Sequence, residues 1–387
     1  MPDDHLAKIG DIAAAAGLKR IHVLAWRDLA DVEAGGSELH VASIMEMWAQ
    51  AGLEVTMRTS HAPGMPSDSR RDGYRVVRRA GRYLVFPRGV AAEVAGRHGR
   101  RDALVEIWNG VPWFSPLWAR GPRVVWLHHV HGPMWQMVLP PRLARFGELL
   151  ERRVAPPFYR RSEVITLSES SRRELVEKLH FPDHRLHVVP PGVGPRFVPG
   201  SSRATRPVVV AVGRLMPVKR FGHLIDAMVR VRTDGGVADA ELVIVGEGAE
   251  RDALQAQIDA NDAAEWITMP GRISDDELVA LYQRAWLVAS ASIAEGWGMT
   301  LTEAAACGTP AVATDISGHR DAVLDGRTGV LVPPAELGAA IAALLRDHDR
   351  RREMSRRARE YAATLTWEAT AVATLTVLAA DAERRRR

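Results

Sequence analysis

Residues 289–318 read ASASIAEGWGMTLTEAAACGTPAVATDISG. The run predicts a buried strand end, a glycine-rich turn, a short helix and another strand, with Glu295 before the turn and Glu303 on the helix. Gly296 and Gly298 let backbone approach a ligand closely, and a helix starting near Met299 points unpaired N–H groups and its positive dipole end at the same place, a seat for phosphate oxygens. A carboxylate there is repelled by a diphosphate. Glu295 and Glu303 are therefore suited to accept hydrogen bonds from the hydroxyls of a sugar or a ribose. On this segment alone an ordinary βαβ unit with solvated glutamates reads equally well.

The Glu-x7-Glu spacing within EGWGMTLTEAAACGTPAVA resembles the nucleotide-sugar site of the family 4 retaining glycosyltransferases, which have the GT-B fold. The resemblance implies that Glu295 contacts the donor sugar, that the amides from Gly298 through Met299 and Thr300 to Leu301 hold the diphosphate, and that Glu303 binds the ribose. It covers nearly the whole chain, with specific motifs in residues 208–335 and a looser match in residues 19–190.

Strand and helix patterns alternate from the start. Strands are predicted at 19–25, 54–59, 74–77, 103–106, 123–127 and 163–167. Helices are predicted at 37–51, capped by Ser37, and at 90–97, 142–154 and 169–178. Alternation at this spacing implies a parallel, doubly wound sheet, whose ligands collect at the carboxyl ends of the strands. Residues 190–207 are dense in proline and glycine and read as a hinge. The expected fold is GT-B: two Rossmann-like domains, 1–190 on the acceptor side and 191–365 on the nucleotide-sugar side, facing across a cleft. A last helix in 366–387 crosses back to the first domain.

In the second domain, strand 208–212 runs into GRLMPVKRFGHLIDAM. Gly213 ends the strand, and Arg214 and Lys219 flank a short loop. A guanidinium fork and a compact ammonium could hold a leaving diphosphate, although a surface turn needs no more than these residues; the resemblance assigns both cations to the donor phosphates. Gly246 and Gly248 open a GxGxxG pattern that fails at Arg251, and the resemblance places Gly246 near the nucleotide. Gly271 and Arg272 fall where the family borders the base. Further strands are expected at 241–245, 266–269 and 329–332, with helices at 275–285, 334–347, 350–363 and 366–382.

In the first domain the AGGSELH loop sets Gly35 and Gly36 before a helix start, where the resemblance puts a glycine loop opposite the donor phosphates. Strand 123–127 runs into HHVH. Imidazoles suggest a metal site, but strand alternation turns His129 away from His128 and no carboxylate-rich segment adjoins. The resemblance gives His128 contact with the donor sugar near its reacting carbon, with His129 as the alternative if the register slips by one. Trp108, Trp113, Trp118, Trp126 and Trp135, nearly half of the 11 tryptophans, surround this segment and read as packing or as an acceptor platform.

The length of 387 residues allows two domains, and a net charge of +4 is too mild and too scattered for a nucleic-acid groove. Arginines cluster between Arg70 and Arg101 and again at residues 384–387, which leaves peripheral contact with an anionic membrane open. Cys307 is the only cysteine, so no intramolecular disulfide forms. No apolar run reaches a membrane-spanning length, and the expected location is the cytoplasm, with contact at the inner face of a membrane allowed.

The expected activity is retaining transfer of a sugar from a UDP- or GDP-linked donor to an acceptor hydroxyl, with no cofactor. Asp347 and Asp349 form the one Asp-x-Asp pair, read as a helix cap rather than a metal site. An epimerase, a sugar phosphorylase and a non-catalytic nucleotide-binding subunit share this architecture and remain alternatives.

Overall fold

The computed structural model describes residues 2–132 and 134–387. The chain divides into two compact units, Met1–Gly192 with Thr366–Arg387, and Val193–Leu365.

The first unit is built on eight strands: β1 (Arg20–Leu24), β2 (Glu54–Thr59), β3 (Asp68–Arg71), β4 (Tyr74–Arg78), β5 (Ala103–Ile107), β6 (Arg123–Trp126), β7 (Glu163–Thr166) and β8 (Leu186–Val188). Their order is β3-β4-β2-β1-β5-β6-β7-β8, parallel throughout except that β3 runs antiparallel to β4. β5, β6 and β7 are buried along their whole length, as strands covered on both faces must be. The helix Trp367–Arg386 closes one face. Its Ala371, Leu375 and Leu378 share a core with Ile9, Ile44 and Trp48, and Trp48 Nε1 donates to Ala371 O at 3.1 Å. Buried Asp381 accepts from Arg123 N at 2.8 Å, so this helix is also tied to the start of β6.

The second unit holds β9 (Val208–Val212), β10 (Glu241–Val245), β11 (Ile267–Gly271), β12 (Leu287–Ser290), β13 (Ala311–Thr314) and β14 (Gly329–Val332), all parallel, in the order β11-β10-β9-β12-β13-β14. The β-branched run of β9 sits in the middle. The chain leaves it toward β10 on one side and returns to β12 on the other, so the loops after β9 and β12 diverge and open a crevice at their carboxyl ends. Both units are thus doubly wound parallel sheets of Rossmann type, the expected fold class.

Several local expectations are corrected. The helix expected at 37–51 is Gly36–Gln50, and Gly35 rather than Ser37 precedes it, because the Glu38 carboxylate reaches back to Gly35 N at 2.8 Å. The single helix expected over 142–154 is Pro141–Leu149 followed by a π-helical turn, Leu150–Val154, which carries Glu151 inward. The helix placed at 90–97 spans Val85–Val94. Helix Pro2–Ala15 and strands β3 and β8 were not anticipated. The Asp347 carboxylate accepts from Arg350 N at 2.9 Å and caps helix His348–Ala362, as read from the sequence.

Candidate active site

In the second unit the loop after β9 is fixed from both sides. Gly246 has φ of +142°, and a Cβ there would lie 1.9 Å from Gly213 O, so the loops after β9 and β10 meet backbone to backbone and only glycine fits. Leu215 N donates to Glu247 O at 2.9 Å on that side, and on the other Ile293 N donates to Val218 O at 3.0 Å. This second bond joins the cation loop to the glutamate turn. Lys219 Nζ then lies 2.5 Å from Glu295 Oε1, which also accepts from Ser292 Oγ at 2.9 Å. Burial acts to raise the Glu295 carboxyl, but the Lys219 charge and these hydrogen bonds outweigh it and hold the group below its ordinary value. Glu295 is ionised and accepts rather than donates. Arg214 is half-buried in the same loop.

The turn rests on a residue that the sequence did not single out. A Cβ on Gly298, at φ +107°, would sit 3.1 Å from His319 Cδ2, so the imidazole forms the floor under the turn. His319 Nδ1 donates to Thr314 O at 2.8 Å, leaving Nε2 near Ser290 Oγ at 3.3 Å, and Thr314 Oγ1 donates to Ser292 O at 2.6 Å. Burial lowers the His319 value, so the ring is neutral. No spacing in the chain announces this role, since any residue 24 positions after Glu295 could have been chosen.

Helix Met299–Ala306 starts from Gly298 with no side-chain cap, so the amides of Met299 and Thr300 lie in its first turn. The Leu301 amide is a correction: it donates to Gly298 O at 2.9 Å and is already used. Glu303 lies deeper, buried, with Tyr282 Oη 3.4 Å from its carboxylate. Burial pushes its carboxyl up to about 7 despite that hydrogen bond. Gly271 N-terminal to exposed Arg272 closes the far side, with Gly246 N donating to Gly271 O at 2.9 Å. One crevice therefore collects Gly213, Arg214, Lys219, Gly246, Glu295 and the Gly298 turn at the carboxyl ends of β9, β10 and β12. Cations and first-turn amides lie beside a hydroxyl-accepting carboxylate, a set suited to a phosphorylated polyol.

The Glu303 environment sets a pH dependence. Its folded-state value lies above the ordinary 4.5, so the unfolded chain ionises first and native stability falls as pH rises from about 4.5 through about 7. Glu303→Gln removes this cost. The variant is expected to gain on the order of 3 kcal/mol over the parent at pH 8 and under about 1 kcal/mol at pH 5. Chemical denaturation at the two pH values measures it, and an equal change at both would refute the assignment.

In the first unit, Leu127 N donates to Ile165 O at 2.9 Å and carries the chain inward, burying His128. Its Nε2 is 3.1 Å from Nδ1 of His40, on helix Gly36–Gln50. Burial, with the His129 charge, pushes His128 down to about 3, and burial likewise lowers His40, so two neutral rings share one N–H. His128 Nδ1 and His40 Nε2 are buried with no hydrogen-bond partner among the described residues. His129 stacks on His131, ring centroids 4.6 Å apart. Glu151 holds this loop by accepting from His131 N at 2.8 Å and Gly132 N at 3.0 Å. Gly36 is exposed at the helix start, whereas the Gly35 amide is taken by Glu38, itself bonded to Arg27 Nε at 3.0 Å. Gly35 therefore does not offer its N–H to a ligand. Trp108, Trp113 and Trp126 are fully buried and pack the core. Among the described residues no group of three or more His, Cys, Asp or Glu is disposed to hold a metal ion.

Residues 34–197 match the family described as Glycosyltransferase Family 4, and residues 197–361 that described as Glycosyl transferases group 1. A D-inositol 3-phosphate glycosyltransferase of Nocardia farcinica is 37% identical over 217 residues, 51% of this chain and 48% of that protein, so the match spans about half the relative's length. A GDP-mannose-dependent alpha-(1-6)-phosphatidylinositol monomannoside mannosyltransferase of Mycolicibacterium smegmatis is 31% identical over 321 residues, 76% of this chain and 80% of that protein. Among solved structures, sucrose-phosphate synthase of Thermosynechococcus elongatus has the same fold, with a TM-score of 0.79 at 23% identity over 91% of this chain and 96% of that one. Two adjoining family matches and a relative aligned over most of both chains agree with the crevice chemistry: the protein belongs to the GT-B glycosyltransferases of the family 4 and group 1 type, which act on nucleotide-sugar donors.

Proposed function

We propose that the protein is a retaining glycosyltransferase that moves a sugar from a UDP- or GDP-linked donor to an acceptor hydroxyl without a bound metal ion. The observation that carries this reading is the Lys219–Glu295 contact set beside the amides that follow Gly298. The bond from the anomeric carbon to the diphosphate breaks with its electron pair going to the phosphate oxygen. The acceptor oxygen bonds to that carbon on the same face, and its proton passes to the departing phosphate. Charge grows on the leaving oxygens, where Arg214, Lys219 and the Met299 and Thr300 amides stabilise it without reorganising. Glu295 accepts from sugar hydroxyls, Glu303 from the ribose, and His128 from or to the sugar.

The test is a panel of nucleotide sugars, scored by thermal stabilisation and slow hydrolysis, followed by acceptors. Binding raises the melting temperature by mass action, so the cognate donor stands out. Two relatives are named for inositol-containing acceptors, and such hydroxyls head the acceptor panel. Transfer is expected to keep full activity in excess chelator; loss restored by magnesium would overturn the metal-free reading. Donor consumption with no acceptor product would indicate an epimerase, and dependence on inorganic phosphate a phosphorylase.

A further inference from the structure

Helix Pro141–Leu149 is packed inside out. Its small residues Ala144 and Gly147 face the protein, with Gly147 against the Trp135 ring, where a Cβ would come within 2.7 Å. Its large apolar residues face solvent instead: Leu143 is 55% exposed, Phe146 62% and Leu149 48%, and Phe158 nearby is 44% exposed. A surface helix ordinarily turns such side chains inward. Grouped on one face, they mark a contact surface rather than scattered exposure.

The same face is cationic. An open cavity of about 600 Å³ beside the helix is lined by Arg145, Arg152, Arg153, Arg160 and Lys178, with Glu148 the one carboxylate among its lining residues. Glu148 pairs with Arg152 at 3.1 Å, while Arg145, Arg153 and Arg160 form no ion pair among the described residues. Of the arginines flagged in the sequence, Arg70, Arg79 and Arg88 likewise form no ion pair among the described residues, whereas most of the others are paired. Arg71, Arg75, Arg78, Arg82 and Arg101 pair with Asp28, Asp68, Asp28, Glu33 and Glu93, and Arg384 and Arg385 pair with Asp381.

We propose that the face formed by helix Pro141–Leu149 and the turn after it docks on an anionic phospholipid bilayer. Phe146, Leu143 and Leu149 enter the boundary between headgroups and acyl chains, and the cavity guanidiniums take lipid phosphates in their fork geometry. The core of a protein–protein interface is depleted of charge, whereas here exposed Leu149 lines the cavity together with Arg145, Arg153 and Arg160, which favours lipid as the occupant. Among the described residues no single helix is long and apolar enough to cross a membrane, so the contact is one of surface and charge. The inference is independent of the transferase reading.

Sedimentation of the full chain with phosphatidylcholine vesicles, with and without phosphatidylglycerol, tests it. Binding is expected to be at least about tenfold stronger with phosphatidylglycerol and to weaken with salt. Phe146→Glu/Leu149→Glu and, separately, Arg153→Glu/Arg160→Glu are each expected to reduce it about tenfold, with unchanged far-ultraviolet dichroism and unchanged donor-induced stabilisation. Equal binding to neutral vesicles, binding unaffected by either double variant, or no binding at all would overturn the proposal. So would self-association that Phe146→Glu/Leu149→Glu abolishes in a protein that ignores vesicles.

Discussion

Lys219→Ala is expected to lower the rate of transfer by about 10²–10³-fold, the usual consequence of deleting one preorganised stabiliser of developing charge, or about 2.7–4 kcal/mol of barrier. Two effects add. The leaving diphosphate loses an ammonium, and Glu295, 2.5 Å from that ammonium, is left as an uncompensated carboxylate beside the anion. The fold should persist, because Lys219 is half-exposed on a short turn whose backbone bonds to Leu215 and Val218 do not involve its side chain. Steady-state kinetics with the cognate donor, alongside the dichroism spectrum, measure both parts. Near-normal turnover in a folded variant would place the phosphate site elsewhere.

Glu295→Ala is expected to lose a comparable factor, about 10²–10³, for a different reason. The alanine leaves Lys219 free to bind the diphosphate more tightly in the ground state while removing the acceptor that orients the sugar, so kcat should fall much more than KM rises. Glu295→Gln keeps a hydroxyl acceptor and should recover part of the loss. A glycosyl adduct trapped on Glu295 would instead make it the nucleophile of a double displacement. The geometry argues against that, since the carboxylate oxygen Oε1 is already engaged by Lys219 and Ser292.

The second unit was legible because its signals are local. Strand β9 is almost all valine and β10 ends in a Val-Ile-Val run, and Gly213 and Gly246 mark the turns after them. The crevice residues lie within these runs and turns, so local motifs together with the family resemblance pointed to Lys219, Glu295 and Gly298. What escaped was tertiary. His40 and His128 are 88 residues apart and meet only through the packing of a helix on β6. Glu38, which no motif singled out, occupies the Gly35 amide that the glycine loop was expected to offer. Strand β3, DSRR, has no apolar alternation and pairs at a sheet edge through backbone and polar side chains, Asp68 with Arg75 and Ser69 with Arg78. Among the described residues, helix Pro2–Ala15 buries only Ile9 and Ala13, with Ile12 half-buried, too few positions for a period to be read from the sequence.

That last helix bears on how the protein is made. Residues 193–365 form a unit of contiguous chain, complete once synthesised, whereas the unit begun at the amino terminus draws Ala371, Leu375 and Leu378 from the far end. On a ribosome the later-encoded unit can close first, and Trp48 and Ile44 wait uncovered until residues 371–378 have been made. The portion with the longest exposure to chaperones and proteases is thus the one synthesised first.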